Sequence, residues 1–209
     1  MIKLENIEKS FDDKKVIKDF SLHIKDNEFI VLTGKSGSGK TTLLNILGLL
    51  ENPDQGSIQI DNKESFNRKE KTMFYRKEAG YLFQNFALIE NETVINNLKI
   101  ALEYQKISKQ QEKEKINTVL EDIGLSSYAN KKIYQLSGGE QQRIALARIM
   151  LKKPKYIYAD EPTGNLDMEN RNIVLQHLQK LKDKGCTVIM VTHDKQIANM
   201  PYVTQHIKL

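Results

Sequence analysis

The amino-acid sequence predicts an α/β protein: a mainly parallel central sheet covered by helices, an N-terminal antiparallel β subdomain, and an inserted helical subdomain at about 85–135. Three observations predict it. A short apolar run, Glu28-Phe-Ile-Val-Leu-Thr33, leads into a glycine-rich turn and then an apolar helix. Strand-like and helix-like segments alternate again after residue 136. Such alternation, with strands apolar throughout, implies a parallel sheet with helical crossovers. Between the two regions lies a stretch whose clearest period is helical.

Each element has its own warrant. Ile2, Leu4 and Ile7 roughly alternate with polar neighbours. Phe20, Leu22 and Ile24 alternate cleanly with Asp19, Ser21 and His23, the pattern of a half-buried strand. The β-branched run at 28–33 suits a strand buried on both faces. A helix is predicted over Thr41–Leu50, ending before Asn52-Pro53, and a strand over Gly56–Asp61. The mixed charges at 61–78 predict a solvated loop and short helix. Ile116, Val119, Leu120 and Ile123 fall at i, i+3, i+4 and i+7, one apolar stripe with Gly124 as its cap. A helix from about Glu140, a strand at Lys155–Asp160, a helix at Glu169–Lys184 capped by Gly185, and a strand at Thr187–Thr192 complete the series. The whole chain, 1–209, is expected to be one domain whose α/β core is 1–84 and 136–209.

Composition narrows the function. The 209 residues are 39% apolar and 28% charged, ordinary for a globular chain. The net charge of +5 is scattered, so no nucleic-acid partner is expected. One cysteine, Cys186, excludes an internal disulfide framework and fits a reducing compartment. The N-terminus lacks the apolar core of a signal peptide. The longest apolar stretch, Leu43–Leu50, is broken by Asn45 and Gly48, far short of the ~18–20 residues of a membrane span.

Three motifs carry chemistry. Gly34-Lys35-Ser36-Gly37-Ser38-Gly39-Lys40-Thr41 matches G-x-x-x-x-G-K-S/T between a strand and a helix. A phosphate chain needs several N–H donors aimed inward, and glycines let the backbone turn tightly enough to supply them. The helix that follows adds free N–H groups and a positive dipole end. Lys40 offers a point charge, and Thr41 a hard oxygen ligand for Mg²⁺. The pattern resembles the phosphate-binding loop of P-loop NTPases. Asp160-Glu161 ends a strand at the edge where open α/β sheets bind ligands. Alone, such acids are ordinary loop residues. Beside a phosphate loop, one can hold metal and the next can take a proton from water. Ser137-Gly-Gly-Glu140 opens a helix and has the form of a capping box. A capping box needs no glycines, and two of them leave space for an anion to approach the helix N-terminus.

Together, Gly34–Thr41, Gln84, Leu136–Glu140, Tyr156–Glu161, Asn165-Leu166-Asp167 and His193 resemble the nucleotide-binding subunits of ATP-binding-cassette (ABC) transporters, in the expected order along the whole chain. Within that family, Leu136–Arg143 (LSGGEQQR) and Glu161–Asp167 (EPTGNLD) look like the branch serving lipoprotein release, macrolide export and peptide or bacteriocin export. The compact length is most similar to the lactococcin 972-type bacteriocin-export group.

The resemblance implies roles. ATP and Mg²⁺ are the expected cofactors. Phe11 stacks on adenine, and Gly34, Lys35, Ser36, Gly37, Ser38, Gly39, Lys40, Thr41 and Thr42 bind ATP. Thr41, Gln84 and Asp160 reach Mg²⁺. Glu161 is the general base, His193 contacts the γ-phosphate and holds Glu161 and its water in line, and Gln84 couples the site to the partner. Ser137, Gly138, Gly139, Glu140 and Asp167 belong to the site of the opposite subunit in an ATP-bound homodimer. A separate transmembrane permease docks on the helical subdomain and Gln84 loop, with Asn85–Ile89 as an exposed apolar knob. The protein then sits peripherally on the cytoplasmic face of the membrane. Two alternatives stand beside this reading. One is an ABC ATPase that signals across the membrane without transport, as its cell-division relatives do. The other is a soluble DNA-repair or translation ATPase, which usually carries coiled-coil insertions, zinc sites or a second cassette.

The chain departs from the family in three places. Glu140 stands where many relatives have Gln. Asn199-Met-Pro-Tyr202 leaves the pairing of the last strand open. No regulatory extension is expected after Leu209. His23 and His206 are assigned to polar strand faces, His177 to packing, and Cys186 to a structural position.

Overall fold

A computed structural model describes all residues, 1–209. The N-terminal β region forms a three-stranded antiparallel sheet. In it β1 (Ile2–Phe11) lies between β2 (Lys14–Ile24) and β4 (Gln55–Ile60). Only Asp12 and Asp13 separate β1 from β2, and Asp12 adopts φ 49. A two-residue hairpin needs that left-handed backbone, which Asp tolerates better than most residues. The hairpin sets Phe11 at the end of β1.

The second sheet is parallel, with strand order β5-β6-β7-β3-β8. Its members are β3 (Phe29–Thr33), β5 (Ala79–Leu82), β6 (Tyr156–Asp160), β7 (Thr187–Val191) and β8 (Gln205–Lys208). Every residue of β3 and β7 is buried, as a strand covered on both faces requires. The open question about the last strand is settled: Ile30–Thr33 pair in parallel with Gln205–Lys208. The short α7 (Lys195–Ala198) and the packing of Tyr202 edge-on against Phe29, 5.0 Å between centroids, lead the chain back to that edge.

Helix α1 (Lys40–Leu47) stops three residues earlier than its apolar run predicts. Gly48 caps it, and Leu49 turns left-handed at φ 63. The hydroxyls of Tyr81 and Tyr75 donate to the carbonyls of Gly48 and Leu49, so tertiary contacts fix the stop. Helix α2 (Arg68–Lys77) begins with an Asn67–Glu70 capping box.

The segment 85–135 holds less helix than predicted: α3 (Val94–Lys99), α4 (Lys109–Asp122) and single 3₁₀ turns at Ser126–Tyr128 and Ile133–Gln135. The fully buried Asn97 orders the loop before α3. Its amide accepts from Ile89 N and donates to the carbonyls of Ile89 and Thr93. Asn85–Ile89 is a knob only in part. Phe86 and Leu88 pack against the core under the parallel sheet, and Ile89 is exposed.

Helix α5 (Gly138–Lys152) has two apolar sides. Ala145, Leu146 and Ile149 pack with Phe29, Val31, Ile157 and Met190 below the parallel sheet. Ile144, Ala147 and Leu151 instead close the core of the helical unit, with Val94, Leu98, Ile116 and Leu120. The expected boundary at 135 therefore does not separate two cores, because one helix is a wall of both. Each fully buried aliphatic side chain contributes roughly 1.5–3 kcal/mol, which ties the helical unit firmly to the sheet. Helix α6 (Met168–Asp183) completes the cover. No helix is long and apolar enough to cross a membrane.

Candidate active site

The C-terminal ends of β3, β6 and β7 open into a cavity of about 400 Å³. Ser36 and Gly37 line it from the loop after β3, Lys40 and Thr41 from the first turn of α1, Gln84 from the loop after β5, Asp160 and Glu161 from the end of β6, and His193 from the loop after β7. Gly164, Asn165 and Val191 complete the lining. Gly164 and Val191 were not anticipated, because each is set by the path of a neighbouring loop rather than by its own chemistry. Val191 is the only apolar member.

The loop before α1 is shaped for an anion. Gly39 precedes the helix at φ 94, and a Cβ there would lie 2.8 Å from Val16 Cγ1. No side chain caps α1, so its first N–H groups face the cavity end unpaired. Lys40 is buried, its ammonium donating to the carbonyls of Gly34 (3.1 Å) and Lys35 (2.9 Å). Ser38 Oγ is buried without a partner. A negative chain of phosphates would satisfy Lys40 and the free N–H groups of α1.

The carboxylates sit opposite. Thr41 Oγ1 donates to Asp160 Oδ1 at 3.2 Å, and Gln84 lines the same cavity. No three His, Cys, Asp or Glu side chains are placed to hold a metal ion on their own. A hard cation such as Mg²⁺ would fit these oxygens only with phosphate oxygens completing its shell. Burial raises the Asp160 carboxyl above its ordinary range. Burial raises Glu161 as well, with His193 pulling the other way. Glu161 adopts φ 45, a strained backbone for a residue without glycine's freedom. His193 N donates to Glu161 Oε2 at 3.3 Å. His193 Nε2 stands 3.2 Å from Glu161 Oε1 but is not aligned for a hydrogen bond, so that buried oxygen has no donor.

The predicted capping box at α5 is present in both directions. Glu140 N donates to Ser137 Oγ at 3.3 Å, and Ser137 N donates to Glu140 Oε2 at 2.7 Å. None of Ser137, Gly138, Gly139 or Glu140 lines the cavity. Space for an anion is not the whole reason for the two glycines. A Cβ on Gly139 would come within 2.6 Å of the Asn170 amide of the same chain, whereas one on Gly138 would meet only ordinary contact. Asn170 in turn donates to Asp167 Oδ2 at 2.8 Å, and its N–H to Asp167 Oδ1 at 2.8 Å. These donors hold the Asp167 carboxyl below its usual range. Gly139→Ala is therefore expected to lower Tm by several °C, the effect of roughly 1–3 kcal/mol of overpacking. Adding Asn170→Ala restores it, and melting curves of the three proteins provide the check.

The other predicted residues lie outside the cavity lining. Phe11 is exposed at the hairpin, with Lys9 Nζ 5.3 Å from its ring centroid, and does not line the cavity. Gly34, Lys35, Ser38, Gly39 and Thr42 shape the loop and α1 from behind. His23 is exposed on β2, and His206 on β8 shares a 2.7 Å hydrogen bond with Thr33 Oγ1. His177 is buried in α6, and burial lowers its pKa. Cys186 is buried, with Sγ donating to Pro154 O.

Comparison with known proteins agrees with this geometry. The sequence model of the family described as "ABC transporter" matches residues 17–164. The chain is 37% identical to the lipoprotein-releasing system ATP-binding protein LolD of Aquifex aeolicus, over 100% of its own length and 94% of that protein. It is 40% identical to the macrolide export ATP-binding/permease protein MacB of Bdellovibrio bacteriovorus, over 94% of its length but 31% of the longer relative. Its fold superposes with TM-score 0.90 on the ATP-binding cassette MJ0796, solved as a dimer in a post-hydrolysis state bound to ADP and Pi. That pair is 35% identical, covering all of this chain and 94% of the other. The phosphate loop, the two strand-end acids and the start of α5 all lie within the matched residues 17–164, and the chain is a member of the ABC transporter family.

Proposed function

We propose that this chain is the ATP-hydrolysing subunit of an exporter, and that it works as a homodimer beneath a separate permease. One observation carries the reading: Lys40, Thr41, Gln84, Asp160, Glu161 and His193, from four separate segments of the chain, line a single polar cavity. Lys40 and the N–H groups of α1 hold the β- and γ-phosphates. Thr41, Asp160 and Gln84 hold Mg²⁺, which when bound neutralises phosphate charge. Glu161 accepts a proton from water as the new O–P bond forms and the bridge to the β-phosphate breaks. His193 keeps Glu161 and the γ-phosphate aligned. Ser137 and Gly139, outside their own chain's cavity, close the site of a second copy across a two-fold interface, with Asp167 beside them. Phe11 packs on the base from the hairpin.

The shared site has a direct test. In a Glu161→Gln background, Ser137→Arg should leave ATP binding by the monomer intact and eliminate the ATP-dependent dimer in sedimentation. An ATP-driven dimer that survives Arg at 137 would overturn the reading.

The permease face is the groove between β5 and the helical unit, about 280 Å³ in volume. Its apolar surface comes from Tyr81, Phe83, Ile100 and Tyr104, and its polar surface from Arg76, Arg148 and Lys152. None of the lining residues is acidic. Arg76 stacks on Tyr104 at 4.3 Å, Arg148 donates to Ala87 O at 2.7 Å, and Lys152 donates to Tyr75 O. The docking segment of the permease supplies the missing carboxylate. Burial, with Arg148 adding to it, lowers Lys152 to about 8. An opposing carboxylate favours the charged form, so docking takes up a proton and weakens as pH climbs past that value. Lys152→Glu should remove permease stimulation of hydrolysis and leave the basal rate unchanged, as measured on vesicles carrying the permease. Unaltered stimulation would move the docking face elsewhere. In this reading the protein sits peripherally on the cytoplasmic face of the membrane. The cargo is a peptide, bacteriocin, lipoprotein or drug carried by the permease. If the second reading holds instead, and the pair signals without transport, stimulated hydrolysis occurs with no cargo movement.

A further inference from the structure

We infer that Arg171 is a positioning residue for hydrolysis. Its guanidinium ties the first turns of α6 to the loop carrying His193, so that His193 and the Asp167 turn move as one body. The inference rests on the reading of His193 as the γ-phosphate contact.

Arg171 lies one turn into α6, and its N–H donates to the carbonyl of Asp167, the residue that caps the helix. Only 8% of it is exposed. Nη2 donates to Asp194 Oδ2 at 2.6 Å, Nη1 lies 3.8 Å from Met168 Sδ, and Nε is buried without a partner. Asp194 is the residue after His193, and it is fixed from both sides. Its Oδ1 accepts from Gln196 N at 2.8 Å, and its own N–H donates to Thr192 Oγ1 at 3.1 Å. The ion pair therefore joins two backbone segments rather than filling a core. A buried pair of charges is poor evidence for stability, since apolar groups of similar volume often serve as well. Its placement is what matters. The same end of α6 meets Gly139 through the Asn170 side chain. One end of a helix thus touches the Asp167 turn, the glycine-opened end of α5 and the His193 loop. A second copy that presses on Asp167 or Gly139 is transmitted to His193 through Arg171, and only the ion pair links that helix end to the His193 loop by charge.

The test uses the full chain and measures steady-state hydrolysis and ATP affinity. Arg171→Met should lower kcat at least about 10-fold with KM and ATP affinity little changed, because geometry rather than binding is lost. Arg171→Lys, which keeps the charge and loses the fork, should recover part of that. In a His193→Ala background, Arg171→Met should cost nothing further, since residues acting through one another are not additive. Wild-type kcat in folded Arg171→Met overturns the inference, and so do losses that multiply in the double variant. If Arg171→Met does not fold, Arg171→Lys carries the same comparison. Should His193→Ala alone leave kcat intact, the His193 reading itself is at fault, and that single variant shows it without reference to Arg171.

Discussion

Glu161→Gln is expected to reduce ATP hydrolysis by ~100-fold or more, the scale on which a general base acts, while ATP binding persists. The substitution keeps shape and removes the proton acceptor. Glu161 Oε1 is buried with no hydrogen-bond donor, and His193 flanks it without aligning. With the base gone and the charge clamp intact, ATP should hold two copies together, a dimer that sedimentation detects. The same variant should gain in melting temperature relative to wild type as pH rises. Burial raises the folded pKa of Glu161 above its ordinary value of 4.5. For a group raised on folding, the stabilising contribution is fully present below the unfolded value and is lost as pH rises through the folded one. Above the folded value it is gone, and a buried charge remains. The site thus sacrifices stability for a basic carboxylate, and the amide restores it. A variant that retains hydrolysis within about 10-fold of wild type would remove Glu161 from the role of base.

Lys40→Ala should act on binding instead. A hydrogen bond to a charged group is worth about 1.5–3 kcal/mol, so ATP affinity should fall roughly 10- to 100-fold by calorimetry. The ammonium already lies against the carbonyls of Gly34 and Lys35, buried within the loop. It has only to exchange carbonyl for phosphate, and little reorganisation offsets the gain. Unchanged affinity in a folded Lys40→Ala protein would free Lys40 from that assignment.

What the sequence made legible was local. The phosphate loop, the strand-end acids and the α5 cap depend on residues within a few positions of one another, and spacing alone reports them. The buried strands were legible for the same reason, since all of Phe29–Thr33 is apolar or small. What stayed hidden depends on partners far along the chain. The early end of α1 is set by Tyr75 and Tyr81, and the Gly139 requirement by Asn170. The Asn85–Ile89 knob looked apolar and free, but Phe86 and Leu88 find a core supplied by other segments. The crossover through α7 carries the chain from β7 past β3 to β8, and no local signal announces that β8 pairs with β3. Arg171 carries no motif at all, and only its reach to Asp194 marks it.

The two-sided α5 has a consequence for truncation and for domain exchange. Excising residues 88–135 would bare Ile144, Ala147 and Leu151 in a row along a helix that must also remain in place beneath the sheet. That scar would be sticky, and the shortened protein should precipitate rather than survive as a minimal ATPase. Swapping the helical unit for a relative's would face the same seam. The graft would succeed only if α5 travelled with it, and α5 brings the Ser137–Glu140 tip along. On the proposed reading, choice of membrane partner and the geometry of the dimer are then inherited as a single package.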